Sequence, residues 1–237
     1  MGHVKIITYR RFLKAVQAGN QGRKFMNPDG QSTSNVANNI KRKLNEEGYD
    51  VYSDHGEAGE FIGTIAVSYE EKTEGKLGRE EEISQLDIAV VEEKPTMEGN
   101  LRKAIALIEI EETTDNPKKL IGDIFTVLMG KSIFLPGKKR EKVDVNSWTT
   151  LIIIGKEPSR KDQLVAHKDR NIYIQDKAKN AMSALETANA KIGNIIVESI
   201  SINGGLDEKL DAILEEKLME KIHEAIRRYI SIKNMQQ

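Results

Sequence analysis

Residues 104–112 read Ala-Ile-Ala-Leu-Ile-Glu-Ile-Glu-Glu, a run that begins apolar and ends acidic. The run predicts a β-strand, in which successive side chains point to opposite faces of a sheet. Two carboxylates on the same face and two residues apart lie roughly 6.5–7 Å from each other along a strand, so they repel unless a positive charge lies nearby. A hard divalent cation is suited to that position because it takes oxygen ligands. The alternation places these side chains on one face: Ile105, Leu107, Glu109 and Glu111.

The composition limits the classes of protein to which the chain can belong. It has 237 residues, 38% of them hydrophobic and 31% charged, which is enough for one large domain with a core. It has no cysteine, which excludes disulfides, thiol catalysis and thiolate metal sites. The net charge of −1 argues mildly against a nucleic-acid binder, although local basic patches remain compatible with one. Because no apolar run is long enough to cross a bilayer and the first residues lack a signal-peptide core, we expect a cytoplasmic protein with no membrane partner.

Hydrophobic periodicity and turn residues predict the elements around this strand. The order of the elements favours an α/β fold, with a mixed β-sheet flanked by helices and a helical C-terminal portion. The apolar stripe of the last helix either packs on its own domain, which we favour, or serves a dimer; it comprises Leu210, Ile213, Leu214, Leu218, Ile222, Ala225, Ile226 and Tyr229. Helices are expected at residues 34–47, 117–129, 160–167, 175–191 and 207–229, and strands at residues 49–53, 61–69, 83–91, 104–112, 132–135, 148–155 and 195–200.

A further acidic residue, Asp87, interrupts the apolar strand predicted at residues 83–91. A charge in such a strand costs several kcal/mol unless it is compensated. If the two strands are neighbours, Asp87, Glu109 and Glu111 converge at one rim of the sheet and raise one another's pKa values. A bound Mg²⁺ reverses that effect and leaves positions for water and for a substrate phosphate. This chemistry is suited to the hydrolysis of a phosphodiester.

The carboxylates allow a second interpretation. Glu109 and Glu111 would then face solvent on an edge strand and pair with Lys118 or Lys119 of the following helix. Exposed carboxylates on strands are common, so the residues of the strand do not decide between the two interpretations.

The pattern resembles that of the restriction-endonuclease-like PD-(D/E)xK nuclease superfamily. In its members a helix precedes a strand that carries Asp; a second strand carries Glu or Asp, one spacer and Lys; a helix and a further strand follow. Asp87 matches the first position, and Glu109-Ile110-Glu111 matches the second strand. The resemblance covers residues 34–155 and does not extend to residues 156–237.

The chain departs from the superfamily pattern at two positions. Leu86 stands where Pro is expected, and Glu111 stands where Lys is expected. Some type II restriction endonucleases carry Glu at the second of these positions, where it binds metal or orients water. Otherwise the chain is an inactive relative, or a lysine such as Lys118 substitutes for the missing one. Glu46 and Glu47, at the end of the first helix, are weaker candidates for a further ligand.

The resemblance implies a single nuclease domain over residues 1–237, with its core at residues 34–155. It implies a DNA endonuclease that depends on Mg²⁺ or Mn²⁺, with Asp87, Glu109 and Glu111 as catalytic and metal-binding residues. A sequence-specific type II restriction enzyme acting as a homodimer on double-stranded DNA is the leading hypothesis. A structure-selective or repair nuclease and an inactive DNA-binding relative are the alternatives. The basic residues that we expect to meet phosphate are Arg23, Lys24, Lys118, Lys138, Lys139 and Arg140.

Overall fold

The computed structural model describes residues 28–54, 61, 63–71, 81–97, 99–111, 117–137, 141–156, 164–182, 184–185, 188–200 and 207–236. In this part of the chain the helices are α1 (Pro28–Glu46), α2 (Pro117–Met129), α3 (Leu164–Met182) and α4 (Asp207–Met235). The strands are β1 (Asp50–Ser53), β2 (Ile65–Ser68), β3 (Glu82–Leu86), β4 (Ile88–Thr96), β5 (Gly99–Glu111), β6 (Ser132–Phe134), β7 (Lys142–Val143), β8 (Thr150–Lys156) and β9 (Asn194–Ile200).

The main sheet has five strands in the order β1-β4-β5-β8-β9. β4 pairs antiparallel with both β1 and β5, whereas β5, β8 and β9 are mutually parallel. This confirms the α/β class with a mixed sheet flanked by helices and with a C-terminal helix. Since β5 is the central strand, the interpretation of Glu109 and Glu111 as side chains on an edge strand is wrong.

A second, antiparallel sheet has the order β3-β2-β6-β7. The single strand predicted at residues 83–91 is therefore divided between two sheets, with β3 in the small one and β4 in the large one. Asp87 lies at the junction between them and not inside a strand. β6, predicted at residues 132–135, also belongs to the small sheet, so the strand that follows α2 in the main sheet is β8.

The main sheet separates two hydrophobic cores. The first core, on one face, contains side chains of α1 and α4, such as Ile40 and Leu218. The second core, on the other face, contains side chains of α2, α3 and the small sheet, such as Ile124, Ile174 and Ile133. The molecule thus has helices on both faces of the sheet, as expected for a sheet that contains parallel strands.

The strand alternation predicted for residues 104–112 is broken at one residue. Val90 pairs with Ala106 and Val91 pairs with Ala104, so Ile105 is the extra residue of a β-bulge. Ile105 consequently packs in the first core, whereas Leu107 packs in the second. The prediction that Ile105 shares a face with Leu107 is wrong.

The apolar stripe of α4 packs on its own domain, as favoured from the sequence. Its buried members in the first core are Leu214, Leu218, Ile222, Ala225, Ile226 and Tyr229. Ile213 is an exception, because 40% of its surface is exposed, and the side chain of Leu210 lies outside the described residues. Within the part of the chain that the structure describes, no helix combines the length and the apolar character needed to span a membrane.

The helix predictions differ from the structure at several boundaries, and α4, predicted at residues 207–229, continues to Met235. α1 begins at Pro28 and not near residue 34, because proline is well suited to the first position of a helix, where no N–H bond is required. The two helical pieces predicted at residues 160–167 and 175–191 are replaced by α3. The first helix was missed at its start because Pro-Asp-Gly is also typical of a turn.

Candidate metal site at the end of the central strand

Backbone pairing holds Asp87 beside the acidic end of β5. β4 runs antiparallel to β5, so the residue that precedes β4 lies next to the last residues of β5. The Asp87 N–H donates to the Ile108 carbonyl at 3.0 Å. Its Oδ2 accepts a hydrogen bond from the Ile110 N–H at 2.7 Å. The condition set by the sequence, that Asp87 and Glu109 belong to neighbouring segments, is therefore met.

Glu111 is the most buried member of the site. Its side chain has an exposed fraction of 0%. Oε2 accepts a hydrogen bond from the Lys119 ammonium, and Oε1 is buried and receives no N–H bond from the described residues. The Asp123 carboxyl is hydrogen-bonded to the Glu111 carboxyl, which requires a proton shared between the two. A buried carboxylate oxygen without a donor is costly, because its desolvation is not repaid.

Helix α2 brings two charged side chains to the same place. Lys119 and Asp123 are four residues apart, so they lie on the same side of the helix. Lys119 pairs with Glu111, and the Asp123 carboxyl, whose Oδ2 is buried, is hydrogen-bonded to the Glu111 carboxyl. The packing of Leu120 and Ile124 in the second core holds this side of α2 against the sheet.

Burial and mutual repulsion raise the pKa values of three carboxyl groups. Burial, opposed by the Ile110 N–H and reinforced by the Asp54 and Glu111 carboxylates, raises the pKa of Asp87 to about 7. Burial together with the neighbouring Glu111 carboxyl raises the pKa of Asp123 to about 7. Each carboxyl therefore resists ionisation, first because it is buried and then because an acidic group lies beside it.

Glu109 is the carboxyl whose charge is least tolerated. Burial, followed by repulsion from Asp87, Glu111 and Asp123, raises its pKa to about 10. The pKa of the Lys119 ammonium is also raised. Burial acts to lower it, but the hydrogen bond and the charge of the Glu111 carboxylate outweigh burial. Lys119 therefore remains a cation at neutral pH and acts as a counter-charge.

The donor set fits a hard divalent cation. Aspartate and glutamate supply the oxygen ligands that Mg²⁺ and Mn²⁺ take. Among the described residues, no group of three or more His, Asp or Glu side chains is already arranged around a common point for a metal ion. Binding would therefore require the carboxylates to turn inward and the Lys119 ammonium to leave Glu111.

The structure locates only some of the residues predicted from the sequence. It brings Asp87, Glu109 and Glu111 together, and it places Lys118 on the exposed surface of α2. Glu47 contacts His223 of α4 at 3.0 Å, away from the acidic cluster. The remaining basic candidates lie outside the described residues: Arg23, Lys24, Lys138, Lys139 and Arg140.

Two members of the acidic cluster, Asp54 and Asp123, were not among the site residues predicted from the sequence. Asp54 follows the short strand β1, and no spacing in the sequence connects it with Asp87. Asp123 had a signal that was available: together with Lys119 it forms a charged pair at helical spacing beside the buried stripe of α2. The pairing of Glu111 with Lys119, which the second interpretation of the sequence offered beside Lys118, is confirmed.

Comparisons with protein-family models, with curated proteins and with solved structures gave no match to this chain.

Proposed function

We propose that this chain is a Mg²⁺-dependent endonuclease that hydrolyses phosphodiester bonds in double-stranded DNA, in the manner of a sequence-specific type II restriction enzyme. One observation carries the proposal. The fully buried Glu111 lies at the end of the central strand beside Asp87, Glu109 and Asp123, and the Lys119 ammonium is the cation that contacts it among the described residues. Repulsion between these buried acids does not stabilise the fold. Neighbouring carboxyl groups with strongly raised pKa values are typical of functional sites.

The residues of the cluster have distinct roles in this proposal. Asp87 and Glu109 hold the cation, and Glu111 completes its ligand set. A divalent ion held by these residues would supply activation of a water molecule and compensation of the charge that develops on the phosphate oxygens. Lys119 retains its proton because its pKa is raised, so it donates hydrogen bonds to the attacked phosphate and does not act as a general base.

Two copies of the chain are part of the proposal. Cleavage of both strands at a symmetric sequence matches a two-fold axis between protomers. The buried stripe of α4 is not available for that contact because it packs in the first core. A different surface must therefore form the dimer.

One observation favours the second candidate, a DNA-binding relative without activity. Lys119 already neutralises Glu111, and such an ion pair can be purely structural. Calorimetry separates the two candidates, because the inactive relative binds neither Mg²⁺ nor Mn²⁺ at Asp87 and Glu109.

The test of the proposed function is cleavage of plasmid and phage DNA in Mg²⁺, with EDTA as the blank. We expect Asp87→Ala and Glu109→Ala to lose at least about 100-fold in rate, since each removes a ligand worth several kcal/mol in the transition state. Glu216→Ala, on the exposed surface of α4, is the matched control and should cut as the parent does.

The products of the same digests identify the type of nuclease. Fixed fragments with defined ends support a sequence-specific enzyme, whereas cleavage confined to flaps or junctions in a mixed DNA panel supports a structure-selective nuclease. If the parent cuts and both site variants cut equally well, Asp87 and Glu109 do not form the site.

A further inference from the structure

Helix α3 has one face that is fixed to β9, the last strand of the main sheet. Ile174 lies in the second core. The Asn171 side-chain amide donates a hydrogen bond to the Ser199 hydroxyl, and the Gln175 Oε1 accepts one from the Val197 N–H at 2.9 Å. The Gln175 side chain thus occupies the edge of β9 that faces away from β8, so another molecule cannot add a strand at this point.

The opposite face of α3 exposes two large apolar side chains. Ile172 is 47% exposed and Tyr173 is 62% exposed. Asp169 precedes them and Lys177 follows them, and both are exposed. The Lys177 ammonium lies 5.3 Å from the centroid of the Tyr173 ring, and neither Asp169 nor Lys177 forms an ion pair with another described residue. This face therefore has an apolar centre, with a negative charge on one side and a positive charge on the other.

The charges on this face are complementary to those of a second copy. Asp169, Tyr173 and Lys177 follow one another at intervals of four residues, so they lie on the same side of α3. If two copies of α3 pack antiparallel about a two-fold axis at Tyr173, Asp169 of each copy lies opposite Lys177 of the other. In the same register Asp176 lies opposite Arg170. Parallel packing would instead place like charges opposite each other.

We propose that two copies of the chain associate through this face of α3, which comprises Asp169, Ile172, Tyr173 and Lys177. The inference rests on the proposed function, which calls for two protomers, and it supplies the surface that the buried stripe of α4 does not provide. With 19 residues, α3 is about 28 Å long. A contact between one pair of such helices is smaller than the roughly 1,200–2,000 Å² of a standard interface. The dimer is therefore reversible and weakens as salt screens its ion pairs.

The test is sedimentation velocity of the full-length chain over a range of protein concentrations, at low salt and without DNA. We expect Asp169→Lys and Lys177→Asp each to weaken dimerisation by at least about fivefold, because each creates two like-charge contacts in the dimer. The exchange of both charges in one chain should restore dimerisation to within about twofold of the parent. Asp169 and Lys177 are about 12 Å apart along their own helix, so this restoration requires contact between two copies. Lys179→Asp, at the margin of the exposed face, is the matched control and should dimerise as the parent does.

Disulfide crosslinking locates the two-fold axis. The chain has no cysteine, so Tyr173→Cys carries one thiol, which the inference places beside its own copy. Under a mild oxidant this variant should crosslink at least about tenfold faster than Ile213→Cys on α4, because only thiols within disulfide distance are joined. Circular dichroism verifies that each variant is folded.

Equal crosslinking rates, a charge exchange that fails to restore dimerisation, or a parent that stays monomeric at every concentration would each overturn the assignment of α3. None of these results decides whether Asp87 and Glu109 support cleavage, because the proposed function is tested separately in the DNA digests.

Discussion

Two pairs of glutamates on neighbouring strands of the main sheet have opposite electrostatic environments. Glu92 and Glu93 on β4 are matched by donors, whereas Glu109 and Glu111 on β5 are surrounded by other acids. Hydrogen bonds and charge lower the pKa values of the β4 pair although burial opposes this. Burial and repulsion raise the pKa of Glu109. All four residues are glutamates, so the neighbouring groups decide whether the carboxylate stabilises or destabilises the fold.

The compensated pair illustrates what a structural carboxylate needs. Glu92 accepts hydrogen bonds from the Tyr229 hydroxyl and the Lys233 ammonium, each at 2.6 Å. Glu93 accepts from the Tyr52 hydroxyl and Arg102 Nε, each also at 2.6 Å. At the other pair, Lys119 is the counter-charge that contacts Glu111, and the acids outnumber it. The contrast supports the proposal that the end of β5 binds a positive charge from outside the chain.

The largest effect on stability is expected at Glu109. Glu109→Gln should raise the free energy of unfolding in EDTA by about 1–3 kcal/mol, because the amide removes a carboxyl that burial and repulsion disfavour. Denaturant unfolding followed by circular dichroism measures this. A loss of stability in that variant would mean that Glu109 has structural partners like those of Glu92.

The acidic cluster should also make the stability of the protein depend on pH in EDTA. The pKa values of Asp87 and Asp123, about 7 in the folded chain, exceed those of unfolded aspartate. Their favourable contribution is full below the unfolded pKa, near 4, and is lost as the pH rises through about 7. Between pH 6 and pH 8 the two aspartates together should lower the free energy of unfolding by about 2 kcal/mol, after a discount for the partial exposure of Asp123. Glu109, whose pKa is raised to about 10, adds to the loss over the same range, and Asp87→Asn should reduce the slope of the profile. A free energy of unfolding that increases between pH 6 and pH 8 would contradict the raised pKa values of Asp87 and Asp123.

Substitution of Glu92 should lower the free energy of unfolding, whereas substitution of Glu109 should raise it. Glu92→Gln is expected to lower the free energy of unfolding by about 1 kcal/mol, because the charged acceptor for Tyr229 and Lys233 is lost. The lowered pKa of Glu92 means that its contribution is present above the unfolded pKa and is lost as the pH falls through the folded pKa. Acid unfolding of the parent and of Glu92→Gln should therefore converge at low pH. Equal stability of the two proteins at neutral pH would show that these hydrogen bonds add nothing.

The smallest effect is expected at Gly122, beside Asp123 on α2. A Cβ added there would have no described atom within 4 Å, and glycine lowers helix stability relative to alanine. Gly122→Ala should raise the free energy of unfolding by about 0.5–1 kcal/mol. If the variant is more stable but cuts DNA more slowly, the open surface at Gly122 is needed for the approach of the substrate.

Hydrophobic periodicity was sufficient to predict the central strand, α2 and the packing of α4. It did not predict the features that depend on which strands pair with each other in the tertiary structure. The bulge at Ile105 depends on the register with β4, and the division of residues 83–91 depends on which sheet each half joins. Asp87, Glu109 and Glu111 were identifiable because a charge in an apolar strand is unusual. Asp54 and Asp123 reach the same place only through the fold.

The central claim is that the acidic end of β5 binds a divalent cation. Its most direct test is the anomalous scattering of Mn²⁺ in crystals of the DNA-free chain grown in MnCl₂. The account predicts a peak between Asp87, Glu109 and Glu111, with ligand distances of about 2.0–2.3 Å to carboxylate oxygens. A crystal with no peak there at saturating Mn²⁺, and with the Lys119 ammonium still on Glu111, would contradict it.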